Sequence, residues 1–228
     1  MVEAKLLAGR FLNFNRPAGR KPTRLAPVWV TLVLPVLRIE LSDRRNPGAA
    51  LNPFRNVGGL RQSSVATGAH ATKAHRNFKW LPWYEGDISE TLLDHDVLTG
   101  PMSGCALVTY RKAAGGPRYA AHIGTITETE ATVVGTNAAV KALFTTALAN
   151  NTIRDARGFI PTANAVPAHP AHQGDDSAAE TWGLMTTGGD FYTIRIWVQR
   201  HTGAAVTSNR IALVHQVQTM TPQQLLAI

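Results

Sequence analysis

Hydrophobic and polar positions in this chain alternate with a short period far more often than with a helical one. Arg10-Phe-Leu-Asn-Phe14 suits one short strand, and Val28 to Leu34 and Val36 to Leu41 are β-branched, apolar runs. These two runs read as a buried strand pair, with Pro35 at a bulge or edge. Later strands are Cys105-Ala-Leu-Val-Thr-Tyr-Arg111, Arg118-Tyr-Ala-Ala-His-Ile-Gly124, Trp182 to Thr186, Phe191 to Val198 and Arg210 to Val217. In the fourth of these, Tyr192, Ile194, Ile196 and Val198 alternate with Thr193, Arg195 and Trp197, which predicts one buried face. Helical spacing is clearest from Thr136 to Asn150, where Val140, Phe144, Ala147 and Leu148 share a face. The polar run Asp87-Ile-Ser-Glu-Thr-Leu-Leu-Asp94 is also compatible with a helix, and Thr221-Pro-Gln-Gln-Leu-Leu226 with a short capped one. Many strands and few helices predict a sheet-dominated core.

Turn and loop signals fill the remainder. Residues 42–79 carry Asn46-Pro-Gly48, Asn52-Pro53 and Gly58-Gly59, and Pro161, Pro167 and Pro170 open the chain again around 155–180. Long structureless loops in a compact domain suggest an active-site rim. Phe78-Lys-Trp-Leu-Pro-Trp-Tyr84 concentrates aromatics suited to anchoring a core.

Composition sharpens this picture. The 228 residues, 44% of them apolar, fit one domain with an arm. The net charge of +8 is uneven: residues 1–80 hold 14 Lys and Arg against three acids, and residues 81–228 hold 9 against 12. We therefore read 1–24 as a basic N-terminal arm and 25–228 as a single catalytic domain. A basic first third attracts something anionic, so a nonenzymatic nucleic-acid-binding role stays open. The longest apolar stretch, Leu25 to Leu37, is too short to span a bilayer and holds two prolines. The first residues lack the apolar core of a signal peptide. If the protein is secreted or delivered into a target cell, the expected route needs no cleaved signal, and otherwise the expected location is cytoplasmic.

The chemistry centres on the single cysteine, Cys105, which excludes an internal disulfide. It stands behind Ser103 and Gly104, with His122 in the following strand of a hairpin turned at Ala113-Ala-Gly-Gly-Pro117. A thiol reacts as thiolate, and a nearby imidazole can take its proton. Cys105 opens one strand and His122 lies near the end of the next, so the hairpin can bring them together. The plain alternative is a small buried hydrophobe and a structural histidine. His95 is a rival base. His169, His172, Asp175 and Asp176 are closely spaced, but their proline-rich loop gives no rigid frame for a metal, and no metal or other cofactor is expected. No phosphate-cradling glycine loop and no serine nucleophile elbow is present.

Met102-Ser-Gly-Cys105 resembles the Leu-Ser-Gly-Cys motif of the cytotoxic necrotizing factor catalytic domain and of the Burkholderia lethal factor type glutamine deamidases, and is more distantly similar to the chemoreceptor glutamine deamidases. Thr99 stands six residues before Cys105, where members of this superfamily place the threonine of a Cys-His-Thr set. The resemblance covers roughly residues 97–126. It implies an α+β fold, a central mixed β-sandwich flanked by helices, and a toxin or virulence effector that deamidates a glutamine of a target protein. That target could be a eukaryotic host protein. Cys105 would be the nucleophile, His122 the general base and acid, and Thr99 the residue orienting His122 through its backbone carbonyl. Ser103 and Gly104 would shape the oxyanion region. A thiol peptidase or a transglutaminase using the same pair remains open.

Overall fold

The computed structural model describes residues 2–14, 16–17, 19, 26–42, 59–64, 75–125, 137–162, 177–200 and 207–228. Among the described residues, thirteen strands and two helices follow a short 3-10 turn at Glu3–Lys5. The strands are β1 (Phe11–Asn13), β2 (Trp29–Leu32), β3 (Val36–Ser42), β4 (Gly59–Ser64), β5 (Asn77–Leu81), β6 (Ile88–Leu92) and β7 (Asp96–Thr99). They continue as β8 (Ala106–Arg111), β9 (Arg118–Ile123), β10 (Arg154–Phe159), β11 (Ser177–Met185), β12 (Phe191–Arg200) and β13 (Thr207–Gln216). Helix α1 is Asn137–Ala149, and α2 is the single turn Pro222–Leu225.

Eight strands close a barrel in the order β1-β13-β12-β11-β7-β5-β3-β4, and five form a second sheet, β10-β8-β9-β6-β2. The barrel is sealed by a short parallel pairing of β1 with β4, Leu12 against Leu60 and Asn13 against Arg61. Closure leaves no open edge in that sheet. Its interior holds Leu12, Ile39, Leu60, Phe78, Trp80, Trp182, Ile194 and Ile196, with the Trp80 and Trp182 rings edge to face at 5.0 Å.

The second sheet uses its period of two to serve two layers. Val108, Tyr110, Ala121 and Ile123 face α1, whose Val140, Phe144 and Leu148 are buried on them. Leu107, Ala120 and Phe159 face the outer wall of the barrel and pack with Leu81, Val97, Met185 and Phe191. Truncating Phe144, fully buried in the first layer, should cost about 3–5 kcal/mol. Helix α1 ends where Asn151 takes a left-handed conformation at φ 55°, and Thr152 N–H bonds back to the Ala147 carbonyl.

This architecture corrects the helix-flanked α+β sandwich expected above. The protein is mostly β, and only α1 is a helix of more than one turn among the described residues. Three local readings account for the difference. The segment expected as a helix at 87–94 contains β6, because Ser89, Glu90 and Thr91 are buried polar residues with partners rather than a solvated face. Ser89 Oγ donates to the Pro82 carbonyl at 2.8 Å, and Thr91 Oγ1 to the Leu32 carbonyl at 3.0 Å.

The runs on either side of Pro35 do not pair with each other. Strand β2 lies parallel to β6 in the open sheet, whereas β3 belongs to the barrel, and Val33 is fully exposed where the chain crosses between them. Residues 2–14 are likewise built into the barrel: Val2 and Leu6 are buried in its core, and Val2 N–H donates to Asp96. Of the long loops, 59–64 and 77–79 are strand, as are 155–159 and 177–180, while 43–58, 65–74 and 163–176 lie outside the described residues. The aromatic run 78–84 does anchor the core through Phe78, Trp80 and Leu81. Among the described residues, no helix is long and apolar enough to cross a membrane.

Candidate active site

The hairpin β8–β9 sets the relation between thiol and imidazole. Its register pairs Ala106 with Ile123 and Leu107 with His122. Cys105, one residue before β8, therefore shares the barrel-facing side with Leu107 and stands diagonally from His122. Diagonal neighbours of this kind have Cβ atoms roughly 7 Å apart, within reach of long side chains.

Thr99 comes from the other sheet. It ends β7, where it pairs with Leu81 and Gly183, and its hydroxyl lies 2.8 Å from His122 Nδ1. This hydrogen bond crosses the seam between barrel and open sheet, and both residues are fully buried. The contact is made by the side-chain hydroxyl, which corrects the backbone-carbonyl role expected for Thr99. With Nδ1 engaged, Nε2 is the nitrogen left to exchange a proton, and it has no hydrogen-bond partner among the described residues. Burial lowers the His122 pKa to about 3, so the ring is neutral here.

The chain immediately after Thr99 turns sharply. The Gly100-Pro101 peptide is cis, and Gly100 has φ 149° with Trp182 packed against it. A Cβ at Gly100 would stand 2.6 Å from Trp182 Cδ1, so only glycine fits. Met102 N–H donates to the Thr181 carbonyl at 3.0 Å, and Thr162 Oγ1 to the Ser103 carbonyl at 3.2 Å, which fix the two ends of the motif loop. Met102 is buried, Ser103 exposed and Gly104 half-buried.

Cys105 is 3% exposed, and its Sγ lies 3.4 Å from Thr125 Oγ1. Burial pushes the thiol pKa up, against the opposing pull of the Thr125 hydroxyl and of backbone groups of Thr125, Gly104 and Ser103. The pair is therefore a neutral thiol and a neutral imidazole, held on one face without a hydrogen bond to the free Nε2. Thr125 is a participant that sequence reasoning missed. Its only signal was a hydroxyl three residues beyond the histidine, where β9 has already ended. Gly124, between them, packs so tightly that an added Cβ would meet the Tyr84 carbonyl oxygen at 2.0 Å. At Gly104, by contrast, a Cβ would find only Thr125 Oγ1, at an ordinary 3.5 Å. Among the described residues, nothing packs closely enough at Gly104 to require glycine there.

The other candidates fall elsewhere. His95 lies in the turn between β6 and β7, with Nδ1 3.2 Å from Asp94, whose second neighbour is Lys79. His169, His172, Asp175 and Asp176 lie outside the described residues. Among the described residues no group of three or more His, Cys, Asp and Glu side chains is arranged to hold a metal ion.

The structure thus brings Thr99 and His122 into contact and sets Cys105 diagonally across the hairpin from His122 with its Sγ on Thr125, and Ser103 and Gly104 lie in the loop leading to the thiol. Comparison with models of known protein families and with curated proteins gave no match for this chain.

Proposed function

We propose that this protein is a thiol-dependent glutamine deamidase, a toxin or effector acting on a protein of another cell. The observation that carries the reading is the 2.8 Å contact between Thr99 Oγ1 and His122 Nδ1, which locks one imidazole nitrogen across the sheet seam. A histidine needed only for packing does not require a free Nε2 in a buried site beside the only thiol of the chain. The hairpin register, with Cys105 diagonal to His122 on one face, supports the same reading.

In the proposed reaction His122 Nε2 takes the thiol proton, and Cys105 Sγ attacks the carboxamide carbon of a glutamine side chain. The backbone N–H of Cys105 would donate to the oxyanion, and Gly104 would leave room for the substrate's approach. As the C–N bond breaks, the His122 proton passes to the departing nitrogen, and ammonia leaves a thioester. Water, deprotonated by the same nitrogen, attacks the thioester, the thiol is reprotonated, and glutamate is released. Each turnover consumes one water and yields one ammonia. Burial of both groups raises the cost of charging them, so the free protein rests in the neutral, unreactive form. Because Cys105 is only 3% exposed, substrate binding has to rearrange the chain around it.

The test is mass spectrometry of a eukaryotic cell extract incubated with the protein, beside a Cys105→Ser control. A glutamine converted to glutamate in the wild-type sample alone is the expected result. Cleaved peptides would instead establish a peptidase, and glutamine cross-linked to an amine a transglutaminase. An extract unchanged in every respect counts against all three.

A further inference from the structure

The open sheet carries a second polar cluster, far along the same strands from Cys105. Arg154 pairs with Arg111 across β10 and β8, and Arg111 pairs with Arg118 across β8 and β9, so three arginines occupy one cross-strand row. Like charges directly opposite one another destabilise a sheet. Arg157 follows opposite Thr109. Between Arg154 and Arg157 the strand bulges: Asp155 and Ala156 together oppose Tyr110, and Asp155 takes φ 53°. A left-handed conformation is uncommon for a residue with a Cβ, and such bulges re-aim side chains.

The bulge borders a cleft of about 500 Å³ whose lining includes Arg118, Asp155, Arg157, Thr219, Met220 and Thr221. Arg118 is held in place, because its Nη1 donates to Thr109 Oγ1 and to the Asp155 carbonyl, both at 3.2 Å. The one carboxylate of the cluster, Asp155, is 3.6 Å from Arg111 Nε. Among the described residues Arg157 has no acidic partner. Partial burial pulls the Arg118 pKa down, and the neighbouring Arg111 and Arg157 charges add to that, with Asp155 opposing.

We propose that this cleft binds a phosphate group through the guanidinium forks of Arg118 and Arg157, with the Thr219 and Thr221 hydroxyls as further donors. Two planar forks and two hydroxyls match a tetrahedral dianion better than a planar carboxylate. Placing a dianion here would relieve the repulsion built into the arginine row. Phosphate on a small molecule and phosphate on a protein side chain offer the same chemistry. The site is independent of the thiol: Arg118 and His122 lie four residues apart on β9, about 13 Å along the strand.

The experiment is calorimetric titration of the full chain at about 0.15 M salt, where weak surface attraction is screened. Pyrophosphate is one probe, and a phosphoserine peptide with its unphosphorylated twin is the other. One-site binding is expected, weakened at least about tenfold by Arg157→Gln and by Arg118→Gln, and unchanged by Lys141→Gln on α1. The exposed Arg157 side chain makes that variant safe for folding, so it stays informative if the Arg118 variant unfolds. Saturable pyrophosphate binding without peptide binding assigns a small phosphorylated ligand. Tighter binding of the phosphopeptide assigns a modified protein segment. Absence of binding by both probes, or binding lost equally in the Lys141 variant, overturns the proposal.

Discussion

Two buried polar clusters sit back to back in the open sheet, and they are built on opposite principles. Glu90 and Ser89 are neighbours on β6, one side chain turned to α1 and the other to the barrel, and Ser89 pairs with His122. Glu90 is fully buried and accepts hydrogen bonds from Trp29 Nε1 and Thr31 Oγ1, each at 2.5 Å, and from Tyr110 and Lys112. Burial pushes its pKa up, but the hydrogen bonds from Lys112, Thr31 and Tyr110 prevail and hold it below the usual carboxylate range. The Tyr110 hydroxyl is driven up by burial and by the Glu90 charge, so that proton stays on the phenol. Every group there is satisfied. On the adjacent strand β9, His122 has one nitrogen bonded and one without a partner among the described residues, and Cys105 is a desolvated thiol whose side-chain partner is the Thr125 hydroxyl at 3.4 Å. A satisfied network is what a core needs. An unsatisfied one costs stability.

The sharpest way to break this contrast is to remove Glu90. Glu90→Ala leaves Trp29, Tyr110 and Lys112 donors without their acceptor and should cost about 3–5 kcal/mol, read as a lower urea midpoint. Loss of well under 1 kcal/mol would mean that the cluster is not the structural half of the pair.

The next effect is pH-dependent. With its folded pKa near 3, His122 stays neutral in the native state while the unfolded chain takes up a proton below about 6.5. The unfolded state therefore binds more protons between these values, and stability falls as the pH is lowered through that window, by several kcal/mol at its end. Glu90 and other carboxylates add acid lability of their own. The difference between wild type and His122→Gln in urea titrations across this range isolates the imidazole. Parallel curves for the two proteins would remove the buried neutral histidine from the account.

Smaller effects separate the members of the site. Thr99→Val removes the hydroxyl from a buried nitrogen and should cost about 1–3 kcal/mol, whereas Thr99→Ser should restore most of it. If Thr99 positions the ring, the valine variant also loses deamidase turnover while the serine variant keeps it. Cys105 in the free protein should react with iodoacetamide at least about tenfold more slowly than a peptide thiol at the same pH, because burial holds it protonated. Met102→Ala, which removes a buried side chain from the cluster that holds Cys105, should speed the reaction. An already fast wild-type reaction would show that the thiol is exposed and activated without substrate.

Strongly periodic segments were legible from sequence, and buried polar ones were not. Helix α1 and strand β12 show their period because apolar positions recur on one face, and β8 and β9 show as short β-branched and apolar runs either side of a turn. Strand β6 hid because its partners for Ser89, Glu90 and Thr91 are distant in sequence, so its polarity imitated a solvated helix. The first 14 residues hid for a related reason: their charges suggest an arm, while Val2, Leu6 and Leu12 fill the barrel. The hairpin placing Cys105 beside His122 could be read from the turn at 113–117. That Thr99 uses its hydroxyl could not, since the contact depends on how two sheets pack. Thr125 was invisible for the same reason.

The most direct measurement is ammonia release from a glutamine-bearing protein extract by wild type, Cys105→Ser and Glu90→Gln, each normalised to its folded fraction. The account predicts release by wild type, a comparable normalised rate for the Glu90 variant, and none above background for the Cys105 variant. Equal release by wild type and Cys105→Ser, or loss confined to the Glu90 variant, would contradict it.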